Sequence, residues 1–144
     1  MRSKAPLAMM EQMVMILVFA LAAALCLQAF VKSDQMSRES ENRDRAVAIA
    51  QNAAEAIRHT GGDFERAAAL LGTDHFDVDS LCIGYDKDWE MTQELVHSHY
   101  RMDIHRFPSD VDGLGKARIW ILDKTEDKEL LSVDVAWQEV DAHG

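Results

Sequence analysis

The chain has 144 residues and a formal net charge of −10, from 15 basic and 25 acidic side chains. That acidic balance suits a solvated domain and disfavours nucleic acid or anionic lipid headgroups as partners. Two cysteines are too few for a disulfide framework: Cys26 falls in an apolar run and reads as a small hydrophobe, and Cys82 falls in a predicted strand.

Residues 1–6 form a short basic leader with Arg2 and Lys4. Met13 to Leu27 then runs fifteen residues without a polar side chain. Gln12 to Val31 is twenty residues, about 30 Å as a helix, which matches the hydrocarbon core of a bilayer. We therefore expect a single transmembrane helix over 7–31. Positive charge precedes the run, and mixed charge follows it at Lys32, Asp34, Arg38, Glu39 and Glu41. The positive-inside rule places the N-terminus in the cytoplasm and the C-terminal domain outside. Setting aside Arg2, Lys4 and Glu11 leaves 13 basic and 24 acidic residues beyond the anchor. A cleaved secretory signal peptide is the competing reading. Against it, the small residues Ala22-Ala23-Ala24 sit mid-run, with Leu25, Leu27, Phe30 and Val31 after them.

No Pro or Gly occurs from Leu7 to Thr60, so the helix is predicted to continue outside the membrane over 32–60. Ala46, Val47, Ala50, Ala53, Ala54 and Ile57 recur at three- and four-residue spacing and predict one buried face. Gly61 and Gly62 are C-cap candidates. Residues 61–144 read as a small helix followed by an antiparallel sheet of four or five strands. Asp63 caps a helix over Phe64–Leu71 that Gly72 ends, with Ala67, Ala68, Leu70 and Leu71 as its buried side. Leu81–Tyr85 reads as a strand, Asp86-Lys87-Asp88 as a turn, and Trp89–Met91 as resumed extended structure. Glu94–His99 fits either a helical turn or a loose strand. Tyr100, Met102 and Ile104 alternate with Arg101, Asp103 and His105, as in a half-buried strand. After the break at Phe107–Gly115 comes a hairpin. Its first strand places Ala117, Ile119 and Ile121 on one face. Its second does the same with Leu131, Val133, Val135 and Trp137, across a turn at Thr125–Lys128. The expected fold class is α+β: a long N-terminal transmembrane helix continuing outward and packed on a small antiparallel sheet.

The segment Leu7-Ala8-Met9-Met10-Glu11, followed by the apolar run from Gln12 through Leu21, resembles the start of a type IV pilin or a type II secretion pseudopilin. The helix-then-sheet layout is similar to that family over nearly the whole chain, whereas the motif covers only Leu7–Phe30. In the family a peptidase removes a basic leader, and the mature chain carries Glu at its fifth position. A cut between Pro6 and Leu7 puts Glu11 there. The family's Gly before the cut is replaced by Pro6, and the proline common midway along its anchor helix is absent.

The resemblance implies a structural subunit of a pilus or pseudopilus, a minor one, with methylation of the new N-terminus. It implies other pilin-like subunits, a prepilin peptidase, an assembly platform and the lipid bilayer as partners, and a cell-surface filament as the destination. The glutamate has a physical rationale of its own. A carboxylate at the edge of hydrocarbon is costly unless a cation sits beside it, and a neighbour's terminal ammonium would fix subunit register. The plainer account of Glu11 is a residue snorkelling at the interface. The alternative function is a membrane-tethered binding module that never polymerises.

No catalytic set or cofactor is expected. There is no Gly-x-Ser-x-Gly elbow and no glycine-rich phosphate cradle. His97, His99 and His105 with Asp103 are the one cluster with zinc-ligand chemistry, provided the strand holding them is unbroken. Asp86, Asp88 and Glu90 resemble the opening of a calcium loop without its central Gly or closing Glu. A hydrated polar face and a solvated turn explain the same letters, so no metal site is assigned. Trp89, Trp120 and Trp137 would form either a ligand surface or the large side chains of a small core.

Overall fold

In the computed structural model, residues 4–139 are described; Arg2 of the leader lies outside them. Helix α1 spans Ala5–His59, 55 residues. Pro6 stands in its first turn, where a missing N–H costs nothing. The helix ends as the glycines predict: Gly61 has φ +63°, its N–H reaches the Arg58 carbonyl, and the Gly62 N–H reaches the Ile57 carbonyl at 2.9 Å. That reciprocal pair satisfies two of the orphan carbonyls at the helix end.

The chain divides into two compact units, Met1–Glu41 and Asn42–Gly144. In the first, every described residue of α1 is exposed. The second holds the last turns of α1, helix α2 (Phe64–Leu71) and strands β1 (Ser80–Tyr85), β2 (Met91–Thr92), β3 (Tyr100–Phe107), β4 (Leu114–Asp123) and β5 (Lys128–Gln138). The strands form one antiparallel sheet in the order β2-β1-β3-β4-β5. A bulge interrupts the β4–β5 ladder at Ile121/Leu122.

The core lies between one sheet face and the helices. Ala46, Ala50, Ala53, Ala54 and Ile57 of α1 are buried, joined by Phe64, Ala67 and Ala68 from α2. Opposite them stand Leu81, Ile83, Met102, Ile104, Ile119, Ile121 and Val135, all nearly inaccessible. Small side chains on the helix meet large ones on the sheet. Each large aliphatic chain buried this way contributes about 1.5–3 kcal/mol of transfer free energy.

Asp63 caps α2 by accepting the Arg66 N–H at 3.1 Å, and Gly72 closes it with φ +76°. Leu70, expected to be buried, is exposed; Phe64 takes its place in the core, from a helix only eight residues long. The strand expected over Trp89–Met91 reduces to Met91–Thr92. The Asp86 carboxylate accepts the N–H groups of Asp88 and Glu90, and Trp89 is held at φ +64°. That tightened turn rules out extended backbone at Trp89.

Candidate functional site

Two surfaces are chemically distinctive: the apolar stretch of α1 and the sheet face turned away from the core.

Pro6, Leu7 and Glu11 lie in the first turns of α1. Leu7, Met9, Met10, Met13, Ile16, Leu17, Phe19, Leu21, Leu25, Leu27, Phe30 and Val31 all expose more than half of their surface. The helix is long and apolar enough to cross a membrane, and none of its most apolar window is buried in the protein. An uncovered apolar surface of this extent is unfavourable in water, so lipid or protein must cover it. Beyond the run, Asp34 and Arg38 pair across one helical turn at 3.1 Å. Such an exposed pair adds little stability.

The outward sheet face carries a cluster that sequence patterning did not single out. Register sets Cys82 opposite Asp103, and Asp103 opposite Trp120. The Arg101 guanidinium donates to Asp103 Oδ1 at 2.9 Å. Arg118 binds both carboxylate oxygens of Asp134, Nη2 to Oδ2 at 2.9 Å. The same guanidinium lies 5.3 Å from the Phe107 ring centroid and 5.9 Å from that of Trp120. Burial, reinforced by Asp103, pushes the Cys82 thiol up to about 11. The hydrogen bond from Arg118 holds the Asp134 carboxyl below its ordinary range. Period-two alternation placed these residues on one face; the cross-strand register that pairs them is not legible locally.

The histidines do not converge. His97 sits in a turn and meets Glu94 at 3.0 Å. His99 precedes β3 and faces the Thr125 hydroxyl. His105 packs edge-on against Trp120, with centroids 5.6 Å apart. The Glu94–His97 turn breaks the strand that would have aligned them. Among the described residues, no group of three or more His, Cys, Asp or Glu side chains is placed to hold a metal ion. Asp86 spends its carboxylate on backbone N–H groups within its own turn.

The tryptophans are also divided. Trp137 is in the core. Trp89 stacks on Tyr100 at 3.8 Å and donates to Asn42 Oδ1 at 3.3 Å. Trp120 lies on the opposite face, so the three form no common surface.

No family model, curated protein or solved structure matches this chain. The class it belongs to is therefore stated by architecture: an α+β protein with a long apolar N-terminal helix packed, over its last turns, on a five-stranded antiparallel sheet. That arrangement is broadly consistent with pilin-like folds.

Proposed function

We propose that the chain is a structural assembly subunit, a minor one, of a type IV pilus or type II secretion-like pseudopilus. In this reading residues 1–6 are the leader, 7–31 the membrane helix, 32–60 its extracytoplasmic extension and 61–144 the outer domain. The role is mechanical rather than catalytic. Its partners are the bilayer, other pilin-like subunits, a prepilin peptidase that cuts between Pro6 and Leu7, and an assembly platform.

The observation that carries the reading is the uncovered apolar surface of α1 with Glu11 exposed at its mouth. Lipid covers such a surface in the membrane-resident subunit, and neighbouring helices cover it in a filament. Ala20, Ala22, Ala23 and Ala24 allow those helices to approach closely. Glu11 then meets the ammonium created at Leu7 of a neighbour, which sets the axial register, while apolar packing supplies the affinity.

Mass spectrometry of the mature N-terminus in the producing cell tests this directly. The expected chain begins at Leu7 with a methylated amine. A chain retaining Met1 contradicts it and favours the second reading, a tethered binding module that does not polymerise. That second reading draws its support from Pro6 in the position of the family's Gly.

A further inference from the structure

Every described residue of α1 before Asn42 is exposed, and so are Arg43, Asp44 and Arg45. Ala46 is the first side chain of the helix to enter the core. Asn42 is the one residue in this stretch that is partly covered. Its Oδ1 accepts the Trp89 Nε1–H at 3.3 Å. The indole is stacked on Tyr100, with centroids 3.8 Å apart and ring planes 9° from parallel, and the Tyr85 ring stands 6.2 Å away. Trp89 therefore ties the first covered point of α1 to strands β1 and β3.

The backbone that presents this ring is held against its own preference. Trp89 has φ +64°, and among the described non-glycine residues only Asp127 shares a positive φ. Asp tolerates that region, whereas a bulky aromatic residue stays there only while its surroundings hold it. The Asp86 carboxylate supplies one restraint by accepting the N–H groups of Asp88 at 2.8 Å and Glu90 at 3.0 Å. The seat of the ring on Tyr100 and Asn42 supplies the other. Strand propensity favours extended backbone at Trp89–Met91, which would lengthen β2 (Met91–Thr92). The turn thus sits between two arrangements, and only one of them places the indole on α1. Such a conflict between local preference and tertiary structure marks a strained or functional site.

We infer that the Asp86–Glu90 turn is a releasable clasp on α1. Closed, as in this structure, it seats Trp89 on Asn42 and fixes the helix where it joins the sheet. Released, Trp89 relaxes to extended backbone, the indole leaves Tyr100, and α1 before Ala46 loses this tie. The hydrogen bonds of the Asp86 carboxylate lie within its own turn, so its influence on α1 passes through Trp89. The clasp does not depend on the filament reading, because a tethered protein that never polymerises carries it as well.

Hydrogen–deuterium exchange of the full-length chain in detergent micelles, read by mass spectrometry, tests the inference. The probes are the N–H groups of Arg43–Ile49, with those of β4 as internal reference. Trp89→Ala is expected to speed exchange over 43–49 several-fold by easing local opening, and to leave β4 slow. Asp86→Ala removes no contact with α1 and is expected to do the same. Asp86→Asn keeps an acceptor oxygen for the two N–H groups and is expected to stay near the parent. Unchanged exchange over 43–49 in Asp86→Ala overturns the inference, because the turn then does not act on the helix. Equal acceleration of β4 and 43–49 also overturns it and assigns Trp89 to the general stability of the domain.

Discussion

Trp137 is seated against Gly115, its cross-strand partner on β4, so closely that a Cβ at Gly115 would run into the indole. Gly62, just beyond the end of α1, is as tightly set against the same ring. The Arg106 guanidinium stands 5.4 Å over the indole and 5.5 Å from the Phe64 ring, while its Nη2 donates to the Gly62 carbonyl. The end of α1, the start of α2 and three strand ends thus meet at one aromatic side chain. Gly115→Ala should therefore destabilise the domain by about 1–3 kcal/mol, the usual range for an overpacked core. Trp137→Ala should cost about 3–5 kcal/mol. Among the described residues the buried Trp137 Nε1 has no hydrogen-bond partner. Trp137→Phe removes that unsatisfied donor and should cost clearly less than Trp137→Ala. Urea denaturation of the variants measures all three.

The alanine stripe of α1 sets the distance between helix and sheet. Ala50 is 3% exposed and Ala53 fully buried, whereas Ala48 faces solvent. Ala50→Leu should lower stability by about 1–3 kcal/mol because the sheet opposite is already filled with large side chains. Ala48→Leu, with the same gain in volume, should stay within about 0.5 kcal/mol of the parent. Equal losses in the two variants would show that packing against the sheet does not set the helix position.

Cys82 supplies a pH dependence with a definite sign. Burial, then the hydrogen bond and charge of Asp103, raise its thiol from 9.0 to about 11. The folded chain thus holds this proton more tightly than the unfolded chain. The resulting contribution to stability is whole below pH 9.0 and is lost as pH rises through about 11. In a Cys26→Ser background, alkylation by iodoacetamide at about pH 8.5, near the ordinary thiol range, should be several-fold slower for the folded chain than in urea. Asp103→Asn should speed the folded reaction. Equal folded and unfolded rates would contradict this account of the outward face.

The elements that could be read from the sequence are those whose signals are local. The Gly61-Gly62 stop, the Asp63 cap and the alternation through Tyr100–His105 and Ala117–Trp137 each depend on residues within a turn or a strand. Leu70 misled because a helix of eight residues buries one narrow side, and Phe64 occupies it. Trp89 misled because its backbone is set by the Asp86 carboxylate, a side-chain effect that strand propensity ignores. The histidine cluster dissolved at the Glu94–His97 turn, which periodicity left open. The Trp137 seat and the Cys82–Asp103–Trp120 alignment depend on register between distant strands, which no local window contains.

In the proposed assembly reading, Glu11 is the residue that distinguishes membrane residence from assembly. A carboxylate that sets subunit register is needed in the filament and not in the bilayer. Glu11→Ala should leave the chain in the membrane fraction and sharply reduce its recovery in sheared surface filaments. Unchanged recovery would assign Glu11 to interfacial snorkelling alone.

The central claim is that the apolar stretch of α1 resides in a bilayer. Alkaline carbonate extraction of membranes from the producing cell measures this most directly. The account predicts that the full-length chain stays in the membrane pellet and is released only by detergent. Recovery of the full-length chain, with residues 7–31 intact, as a monomer in the detergent-free supernatant would contradict it.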